Sequence, residues 1–292
     1  MSNFLAANTF KYIWMHPNSE NRRVKGILKF LGWQFYKRIF KKPVDIEIIP
    51  KFKIRCYPNG YSAASVLYCG LYDYNEMNFL LRYLRPEDSF LDIGANVGIY
   101  SILAASRISL GKVFSFEPLP KNIDRLKENC KLNKFDHIEI HSVAISDIQG
   151  EIALNLAEGD SMPFITSSPE ENSITVPTDT LDNIFRGREL KQLTLAKIDI
   201  EGAEFLAFKG ARSLLEKHLP YVWILEINNT IKNFNHTEED VVSLLNSFGY
   251  HLYDYDAAHN CLKPIGLKQQ QGKNALAIAD SHLDFVRERL AK

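Results

Sequence analysis

From Ser89 onward, short apolar segments alternate with helical patterns along most of the chain. This alternation constrains the fold more than any other feature, because strand–helix units build a parallel sheet with helices on both faces. The sequence therefore predicts an α/β fold with a mostly parallel sheet. The expected strands are 89–93, 112–116, 137–142, 194–200, 221–227, 250–255 and 274–280, and the expected helices are 98–106, 119–132, 203–217 and 237–248.

The last two expected strands are connected differently from the others. Residues 256–273 join them and show no clear helical pattern. We therefore expect this end of the sheet to finish antiparallel. Sheets of this kind bind ligands beyond the carboxyl ends of their strands, where the strand order switches, so functional residues are expected at that edge.

The first 73 residues follow another pattern and are predicted to form an N-terminal helical and β-hairpin extension, with residues 74–292 as the main domain. Residues 44–68 alternate between apolar and polar side chains, and Pro58-Asn59-Gly60 is a strong turn sequence, so we expect the hairpin there. A short amphipathic helix is expected from Asn75 to Leu84.

A basic amphipathic helix is expected between Val24 and Phe40. One interpretation is a helix that packs on the domain and presents a solvated basic face. The other is a helix that makes peripheral contact with an anionic membrane surface. The apolar positions at helical spacing are Ile27, Leu28, Leu31, Phe35 and Ile39.

The overall composition argues against several classes of protein. Lys+Arg and Asp+Glu both number 35, whereas a dedicated nucleic-acid binder carries a basic excess, so no nucleic-acid partner is expected. The four cysteines form no Cys-x-x-Cys pair, which argues against a zinc site or a disulfide framework. No apolar run reaches the ~18–20 residues of a membrane span, and no secretory signal is recognised before His16. A cytoplasmic location is therefore expected.

The strongest local signal is the segment 90–100, an apolar strand followed by a glycine turn and a helix start. Gly94 and Gly98 allow a sharp turn and a close approach to a ligand, and the helix N-terminus is expected to offer free N–H groups to an anionic group. The Gly-x-x-x-Gly spacing differs from that of dinucleotide-binding loops. Asp92 suits a cationic or hydroxyl-bearing ligand and would repel a pyrophosphate, which makes a nicotinamide-dependent dehydrogenase the weaker alternative.

Two further acidic segments follow at strand ends. Glu117 ends the next strand, at the position that hydrogen-bonds ribose hydroxyls in doubly wound sheets; a helix-capping charge is the alternative. Asp199 and Glu201 lie where the strand 194–200 ends, and alternation places them with Lys197 on one side. They are interpreted either as a polar cluster that acts on an acceptor hydroxyl, or as a salt bridge with a helix cap.

Together these segments resemble the FkbM family of the class I, Rossmann-like methyltransferases. The resemblance covers roughly residues 74–230. The matching segments are Asp-Ile-Gly-Ala-Asn-Val-Gly at 92–98, Phe-Glu-Pro at 116–118, Val-Ala-Ile-Ser-Asp at 143–147, Pro-Thr-Asp-Thr-Leu-Asp at 177–182, Lys-Ile-Asp-Ile-Glu-Gly-Ala-Glu at 197–204 and Leu-Glu-Ile at 225–227.

The resemblance implies a seven-stranded sheet with an antiparallel edge hairpin, and S-adenosylmethionine as the methyl donor. It also implies an acceptor hydroxyl on a sugar or on a polyketide-like natural product. The residues implied to hold the donor are Asp92, Gly94, Ala95, Asn96 and Gly98 at the methionine end, Glu117 and Pro118 at the ribose, Val143 and Ala144 at the adenine, and Glu76 where the pocket closes.

An alcohol becomes a good nucleophile only as its proton leaves, so a carboxylate near the methyl group is expected to accept that proton. Asp199 is the first candidate, with Glu201 as a second carboxylate and Lys197 setting the local charge. A magnesium ion held by Asp199, Glu201 and Glu226 is an alternative. A nucleic-acid methyltransferase and a non-catalytic nucleoside-binding protein are the rival functions, and the oligomeric state is left open.

Overall fold

The structure is a computed structural model that describes residues 2–19, 22–155, 164–165, 173–190, 192–267 and 274–291. Its strands are β1 (Val44–Ile49), β2 (Phe52–Cys56), β3 (Ser89–Ile93), β4 (Val113–Phe116), β5 (Ile138–His141), β6 (Ala144–Ile145), β7 (Gly150–Asn155), β8 (Phe164–Ile165), β9 (Ser173–Asp179), β10 (Leu193–Ile198), β11 (Val222–Glu226), β12 (Tyr250–Asp256), β13 (Cys261–Pro264) and β14 (Asn274–Ala279).

Its helices are α1 (Ser2–Met15), α2 (Arg23–Ile39), α3 (Ser62–Cys69), α4 (Tyr74–Tyr83), α5 (Ile99–Ala105), α6 (Pro120–Asn133), α7 (Leu181–Ile184), α8 (Glu204–Lys209), α9 (Arg212–Glu216), α10 (Glu238–Ser247) and α11 (Leu283–Ala291). Among the described helices, none is both long and apolar enough to cross a lipid bilayer.

An eight-stranded sheet forms the centre, in the order β13-β12-β14-β11-β10-β3-β4-β5. The strands from β11 to β5 run parallel, and β14, β12 and β13 continue the sheet in antiparallel pairs. The predicted α/β class, the mostly parallel sheet and its antiparallel edge are thus confirmed. The strand count differs from seven because β13 forms within residues 256–273, for which the sequence predicts no regular element.

The central strands are buried on both faces, which explains their nearly continuous apolar sequence. Alternate side chains point to opposite faces, so Phe90 and Leu195 join one hydrophobic cluster while Leu91 and Ala196 join the other. Trp33 of α2 packs into the same cluster as Phe90. Helices on each side complete both clusters, and the carboxyl ends of the strands remain available for a site.

A second, four-stranded sheet lies beside the first, with the order β6-β9-β7-β8. Its strands β7 and β9 pair in antiparallel register from Gly150↔Thr178 to Asn155↔Ser173. The sequence predicts no strands in this stretch. Leu154 and Val176 are buried there together with Leu119, so this sheet covers the start of α6.

The predicted helix 203–217 is instead two short helices, α8 and α9. The helix is interrupted at Gly210, where an added Cβ would lie 2.1 Å from the carbonyl oxygen of Ser146. The close approach of the β6 region therefore interrupts the helical pattern. The other predicted helices and strands of the main domain agree with the structure to within about two residues at each end.

The predicted hairpin exists, but its turn lies elsewhere. β1 and β2 pair in antiparallel fashion around a turn at residues 50–51, with Ile49 opposite Phe52. Pro58-Asn59-Gly60 forms a separate turn, in which Gly60 N–H donates to the Tyr57 carbonyl. The prediction that the hairpin extends to residue 68 is wrong. Residues from Ser62 onward form the helix α3, one side of which is buried.

The basic helix α2 packs on the domain mainly with a side other than that of its regularly spaced apolar residues. Its buried positions are Gly26, Phe30 and Trp33, and Ile27 packs beside them, whereas the other regularly spaced apolar residues face outward. Gly26 allows this because an added Cβ would lie 2.7 Å from the Ile13 side chain. Close contact with α1 at Gly26, and the large rings beside it, therefore select the packed side. The exposed apolar positions are Leu28, Leu31, Phe35 and Ile39.

Candidate active site

A cavity of about 380 Å³ opens at the carboxyl ends of β3, β4, β10 and β11, at the edge that the sequence indicates. Its volume is that of a small-molecule site. The sequence-selected residues that line it are Asp92, Gly94, Ala95, Asn96, Glu117, Pro118, Val143, Ala144, Lys197, Asp199 and Glu201. Gly98 and Glu76 were also selected from the sequence, and they do not line this cavity.

The glycine turn after β3 packs tightly against the end of β10. Gly94 has a φ of +79°, and a Cβ added to it would lie 2.0 Å from the carbonyl oxygen of Asp199. Gly98 has a φ of +85°, and its Cβ would meet Leu126 of α6 at 2.9 Å. Both positions thus require glycine for conformation and for close packing within the chain.

The backbone N–H groups of this turn all donate within the chain. These five N–H groups are therefore not available to a ligand, and α5, whose N-terminus is expected to offer free N–H groups, begins at Ile99. The donations run from Gly94 and Ala95 to the Phe116 carbonyl, from Asn96 to Glu117 Oε2, from Val97 to Asn96 Oδ1 and from Gly98 to the Ala95 carbonyl.

Asp92 is 1% exposed at the end of β3. Its Oδ2 accepts a hydrogen bond from Ser101 Oγ at 2.5 Å, and that hydroxyl is 2.7 Å from Ser115 Oγ. Oδ1 has no partner among the described residues. A buried carboxylate oxygen without a donor is costly, so Asp92 offers an acceptor to a ligand.

Glu117 closes the other side of the turn. Its Oε2 accepts from Asn96 N–H at 2.8 Å, and Oε1 accepts from Leu119 N–H at 2.9 Å. Burial raises the pKa of Glu117 to about 7, against the effect of these hydrogen bonds. Oε1 also accepts from Asn122 Nδ2 at 3.4 Å. Oε2 keeps a second lone pair, so it can still accept from a ligand hydroxyl.

The wall beyond Glu117 is apolar. Val143 and Ala144 line it, followed by Ile145 of β6 and Leu154 of β7. The second sheet thus supplies one side of the cavity, which suits a flat apolar ring.

The charged segment after β10 forms a network around one lysine. Lys197 Nζ is 2.8 Å from Asp199 Oδ2 and 4.8 Å from the centroid of the Tyr100 ring. Tyr100 donates a hydrogen bond to Asp73 Oδ2 at 2.8 Å. Burial lowers the pKa of Lys197, but the nearby carboxylates of Asp199, Asp92 and Asp73 outweigh it, so the net pKa is raised. Lys197 therefore stays protonated.

Asp73 and Tyr100 were not selected from the sequence. Asp73 precedes α4, where an aspartate normally caps the helix, but its side chain makes no capping hydrogen bond. Burial raises the pKa of Asp73 to about 6, and Lys197 and Tyr100 oppose that rise. An aspartate before a helix was the available signal, and only the fold shows that it faces the cavity.

Glu201 has an unusual backbone and environment. Its φ is +54°, in the left-handed region that costs a side-chain-bearing residue roughly 1–2 kcal/mol. Burial, followed by the charges of Asp199 and Glu226, raises the pKa of Glu201 to about 7. Strain of this kind clusters at functional sites.

Glu204 supports the turn beneath Glu201. It is 3% exposed, and its Oε1 accepts from the N–H groups of Ile200 and Gly202 at 3.1 and 3.2 Å. Burial raises the pKa of Glu204 to about 7. This carboxylate therefore holds the loop instead of facing the cavity.

Glu76 lies on α4, one turn beyond Asp73. Burial and then Asp73 raise the pKa of Glu76 to about 7, and a hydrogen bond with Asn274 opposes that rise. Asn274 itself lines the cavity, so Glu76 reaches the site through this side chain.

The described residues contain no group of three or more His, Cys, Asp or Glu side chains arranged to hold a metal ion. The set Asp199, Glu201 and Glu226 lines one cavity but is not such a group, so the structure gives the magnesium alternative no support.

The cavity carries a strong excess of acidic groups. Lys197 is the one lysine or arginine among the described lining residues. An anionic pyrophosphate would meet repulsion here, whereas a cationic ligand would be attracted. The acidic lining residues are Asp73, Asp92, Glu117, Asp199, Glu201 and Glu226.

A family model described as the methyltransferase FkbM domain matches residues 92–252 of the chain, which is more than half of its length. The matched range contains the glycine turn, Glu117 and the Lys197–Asp199 pair. It ends within β12.

Two curated proteins and one solved structure illustrate the similarity. Hexuronic acid methyltransferase AglP of Haloferax volcanii is 27% identical over 143 residues, which cover 48% of this chain and 56% of that protein. The 2-O-methyltransferase NoeI of Sinorhizobium fredii is 27% identical over 150 residues, which cover 46% and 61%. The chain thus spans less than two thirds of either relative. TYW2 of M. jannaschii, solved in complex with AdoMet, aligns with a TM-score of 0.41 at 13% identity, covering 82% of this chain and 85% of that one.

Proposed function

This chain belongs to the FkbM methyltransferase family, as its motifs predict, and we propose that it is an S-adenosylmethionine-dependent O-methyltransferase. The acceptor is a hydroxyl on a sugar, a glycan or a natural-product-like molecule. The observation that carries the proposal is the cavity beside the glycine turn, with six acidic side chains and one lysine.

The charge of the cavity supports a cationic donor over a nicotinamide cofactor. S-adenosylmethionine, when bound, supplies a methyl group carried on a positively charged sulfur. Asp92 Oδ1 is buried and has no partner among the described residues, so it can accept from a cationic amino group. The same oxygen would repel a pyrophosphate.

The other residues that line the cavity fit the remaining parts of the donor. Glu117 Oε2 accepts one N–H within the chain and keeps a lone pair for a ribose hydroxyl, and Pro118 follows Glu117 at the cavity wall. Val143 and Ala144 offer apolar contact to the adenine. The turn of Asp92, Gly94, Ala95, Asn96 and Gly98 takes the methionine end, and Glu76 supports closure of the pocket through Asn274.

We propose that Glu201 is the general base that accepts the proton of the acceptor hydroxyl. A general base works best with a pKa near the working pH, and burial raises the pKa of Glu201 to about 7. Asp199 is held by Lys197 at 2.8 Å, so its role is to orient the acceptor hydroxyl. This division reverses the order expected from the sequence, where Asp199 is the first candidate.

The acceptor is proposed as a saccharide on two grounds. The names of two relatives specify a hexuronic acid and a 2-O position. In this chain, Tyr61, Ser62 and Ser65 line the cavity, and an aromatic ring with hydroxyls suits a sugar. The chain has equal numbers of basic and acidic residues. It therefore lacks the overall basic excess that would favour a nucleic acid as the acceptor.

The test combines donor binding and product mapping. Calorimetric titration is expected to show binding of S-adenosylmethionine and none of NAD⁺. Radiolabelled methyl donor is then offered with uronic acids, neutral sugars, glycolipids, polyketide-like alcohols and RNA, and the labelled atom is mapped. Label on a sugar oxygen is expected.

The variant that tests the donor site is Asp92→Asn, which keeps the shape of the side chain and removes its negative charge. It is expected to bind the donor more weakly than the wild type. Binding of NAD⁺ alone, or label on a nitrogen or carbon atom, would contradict the proposal.

A further inference from the structure

The outward side of α2 exposes large apolar side chains in a row. The five residues are between 49% and 66% exposed. Spacings of three or four residues place them on one side of the helix over about 22 Å. We call this row the apolar stripe, and its residues are Val24, Leu28, Leu31, Phe35 and Ile39.

The apolar stripe lies opposite the packed side of α2. Gly26, Phe30 and Trp33 are the buried positions of the helix, and at about 100° per residue they point away from the stripe. None of the other described residues covers it. Contiguous exposed apolar patches of this kind mark interaction sites.

Exposed apolar groups are concentrated in this part of the molecule. Of the thirteen large hydrophobic side chains that are exposed in the described residues, nine belong to residues 12–40. Besides the apolar stripe, these are Tyr12, Trp14 and Met15 of α1 and Phe40 after α2. The surface is therefore broader than one helix row.

Positive charge is concentrated in the same segment. Residues 22–42 contain eight Lys or Arg and no Asp or Glu, which leaves 27 basic and 35 acidic residues in the rest of the chain. None of the eight forms an ion pair with another residue that the structure describes. They are Arg22, Arg23, Lys25, Lys29, Lys37, Arg38, Lys41 and Lys42.

We propose that α2 docks this protein on an anionic lipid membrane. The apolar stripe enters the boundary between headgroups and acyl chains, and Lys25, Lys29 and Arg38 on its flanks contact anionic headgroups. Helices that lie on membranes combine a basic face with an apolar one in this way, and each basic residue near such a surface adds about 1 kcal/mol of attraction.

Charge and apolar exposure together favour lipid over the other occupants. A nucleic acid would use the positive charge but would leave the apolar stripe in water. A second copy of this chain would cover the stripe but would bring like charges together, which is unfavourable. An anionic bilayer satisfies both features.

The docked helix lies close to the candidate active site. α2 packs on α3, and Ser62 and Ser65 of α3 line the cavity. Packed helices lie about 8–10 Å apart, so the cavity wall is one helix layer from the docking surface. Access to lipid-attached acceptors follows from this position and depends on the proposed function, whereas the docking itself does not.

The experiment measures co-sedimentation of the full chain with vesicles. One set contains phosphatidylcholine alone and the other about one third phosphatidylserine. The wild type is expected to bind the anionic vesicles and to release them as salt is raised. Leu28→Ser with Phe35→Ser, and Lys25→Gln with Lys29→Gln and Arg38→Gln, are each expected to weaken binding roughly tenfold or more.

Matched controls change similar side chains elsewhere. Leu110 and Ile148 are 76% and 65% exposed, and Leu110→Ser with Ile148→Ser is expected to bind like the wild type. The charge control replaces three exposed lysines of α6, by Lys121→Gln, Lys127→Gln and Lys131→Gln. Thermal melting checks that every variant is folded.

Three results would overturn the proposal. The first is equal vesicle binding by the α2 variants and their controls. The second is a wild-type dimer that the Leu28→Ser, Phe35→Ser variant dissociates, without vesicle binding. The third is RNA binding that survives those two substitutions, again without vesicle binding. Light scattering after gel filtration and an RNA mobility shift distinguish these cases.

Discussion

Lys197 Nζ lies 2.8 Å from Asp199 Oδ2, and the two side chains differ sharply in exposure, at 8% and 39%. The lysine is thus enclosed while the carboxylate faces the cavity. Because the lysine stays protonated among three carboxylates, it fixes the orientation of Asp199. The pair therefore acts as a rigid support at the edge of the candidate active site.

Asp199→Asn is expected to lower turnover at least about 100-fold, because misplacement of a reacting group by about 1 Å costs that much. Affinity for S-adenosylmethionine should change little. Steady-state kinetics and calorimetry measure the two quantities. Asp256→Asn is the control, since Asp256 is paired with Lys263 at 3.2 Å outside the cavity. Unchanged turnover in Asp199→Asn would remove Asp199 from the mechanism.

Glu201→Gln is expected to lower kcat/KM by about 10²–10⁴. In the wild type, kcat/KM should rise with pH and level off above about 7, as Glu201 loses its proton. The variant should lose this inflection. Glu117 also has a pKa of about 7, so an inflection that persists in Glu201→Gln would point to another group.

Gly94→Ala is expected to destabilise the fold and to abolish donor binding, because the new Cβ would lie 2.0 Å from the Asp199 carbonyl oxygen. Gly187→Ala is the matched control. Gly187 has a φ of +74° and open space around it, so only the backbone cost of roughly 1–2 kcal/mol is expected. Urea denaturation compares the two, and equal losses would show that packing at Gly94 is unimportant.

Glu204→Gln is expected to change the pH dependence of stability. Burial raises the pKa of Glu204 to about 7, so the folded wild type keeps a proton that the unfolded chain loses above about pH 4–5. The free energy of unfolding of the wild type therefore falls as pH rises to about 7. The variant avoids this loss and should gain up to a few kcal/mol relative to the wild type.

Denaturation curves at several pH values measure that difference. Glu216→Gln, at an exposed position on α9, serves as the control and should show no such trend. A constant difference between Glu204→Gln and wild type across pH would contradict the assignment.

Arg289→Met is expected to cost about 3–5 kcal/mol of stability, because it leaves a buried charge without its partner. Asp88 is fully buried and contacts Arg289. Arg287→Met is the control, since the Arg287–Asp284 pair is exposed and such pairs contribute about 0–1 kcal/mol. Chemical denaturation measures both, and similar small losses would show that the buried pair is not needed.

The sequence predicts the central sheet well, because its strands are buried on both faces and leave a continuous apolar signal, as at Ser89–Ile93 and Val222–Glu226. The sequence also predicts the glycine turn and Glu117 at the site, because each follows directly after a buried strand. Strand ends at one sheet edge meet in space whatever their separation along the chain. The roles of the selected residues, and the division between residues 1–73 and 74–292, stay predictions.

Other features depend on contacts that no local pattern contains. The packed side of α2 is the side of Gly26 and Trp33, which contact neighbouring elements. Leu28 and Phe35 follow the more regular apolar spacing but lie on the exposed side. Asp73 lines the cavity beside Tyr100 of α5, which donates a hydrogen bond to it from a distant part of the chain. Strand β7, Gly150–Asn155, pairs with Ser173–Thr178, a segment that no local pattern links to it.

The approach of Gly94 to the Asp199 backbone limits how this protein can be re-engineered. The two loops share one boundary, so neither can be replaced by a loop of different shape while the other is kept. A chimera that aims to exchange donor or acceptor preference should therefore transplant residues 92–98 and 197–204 as one pair. Grafting either segment alone would leave a steric collision or a gap between them.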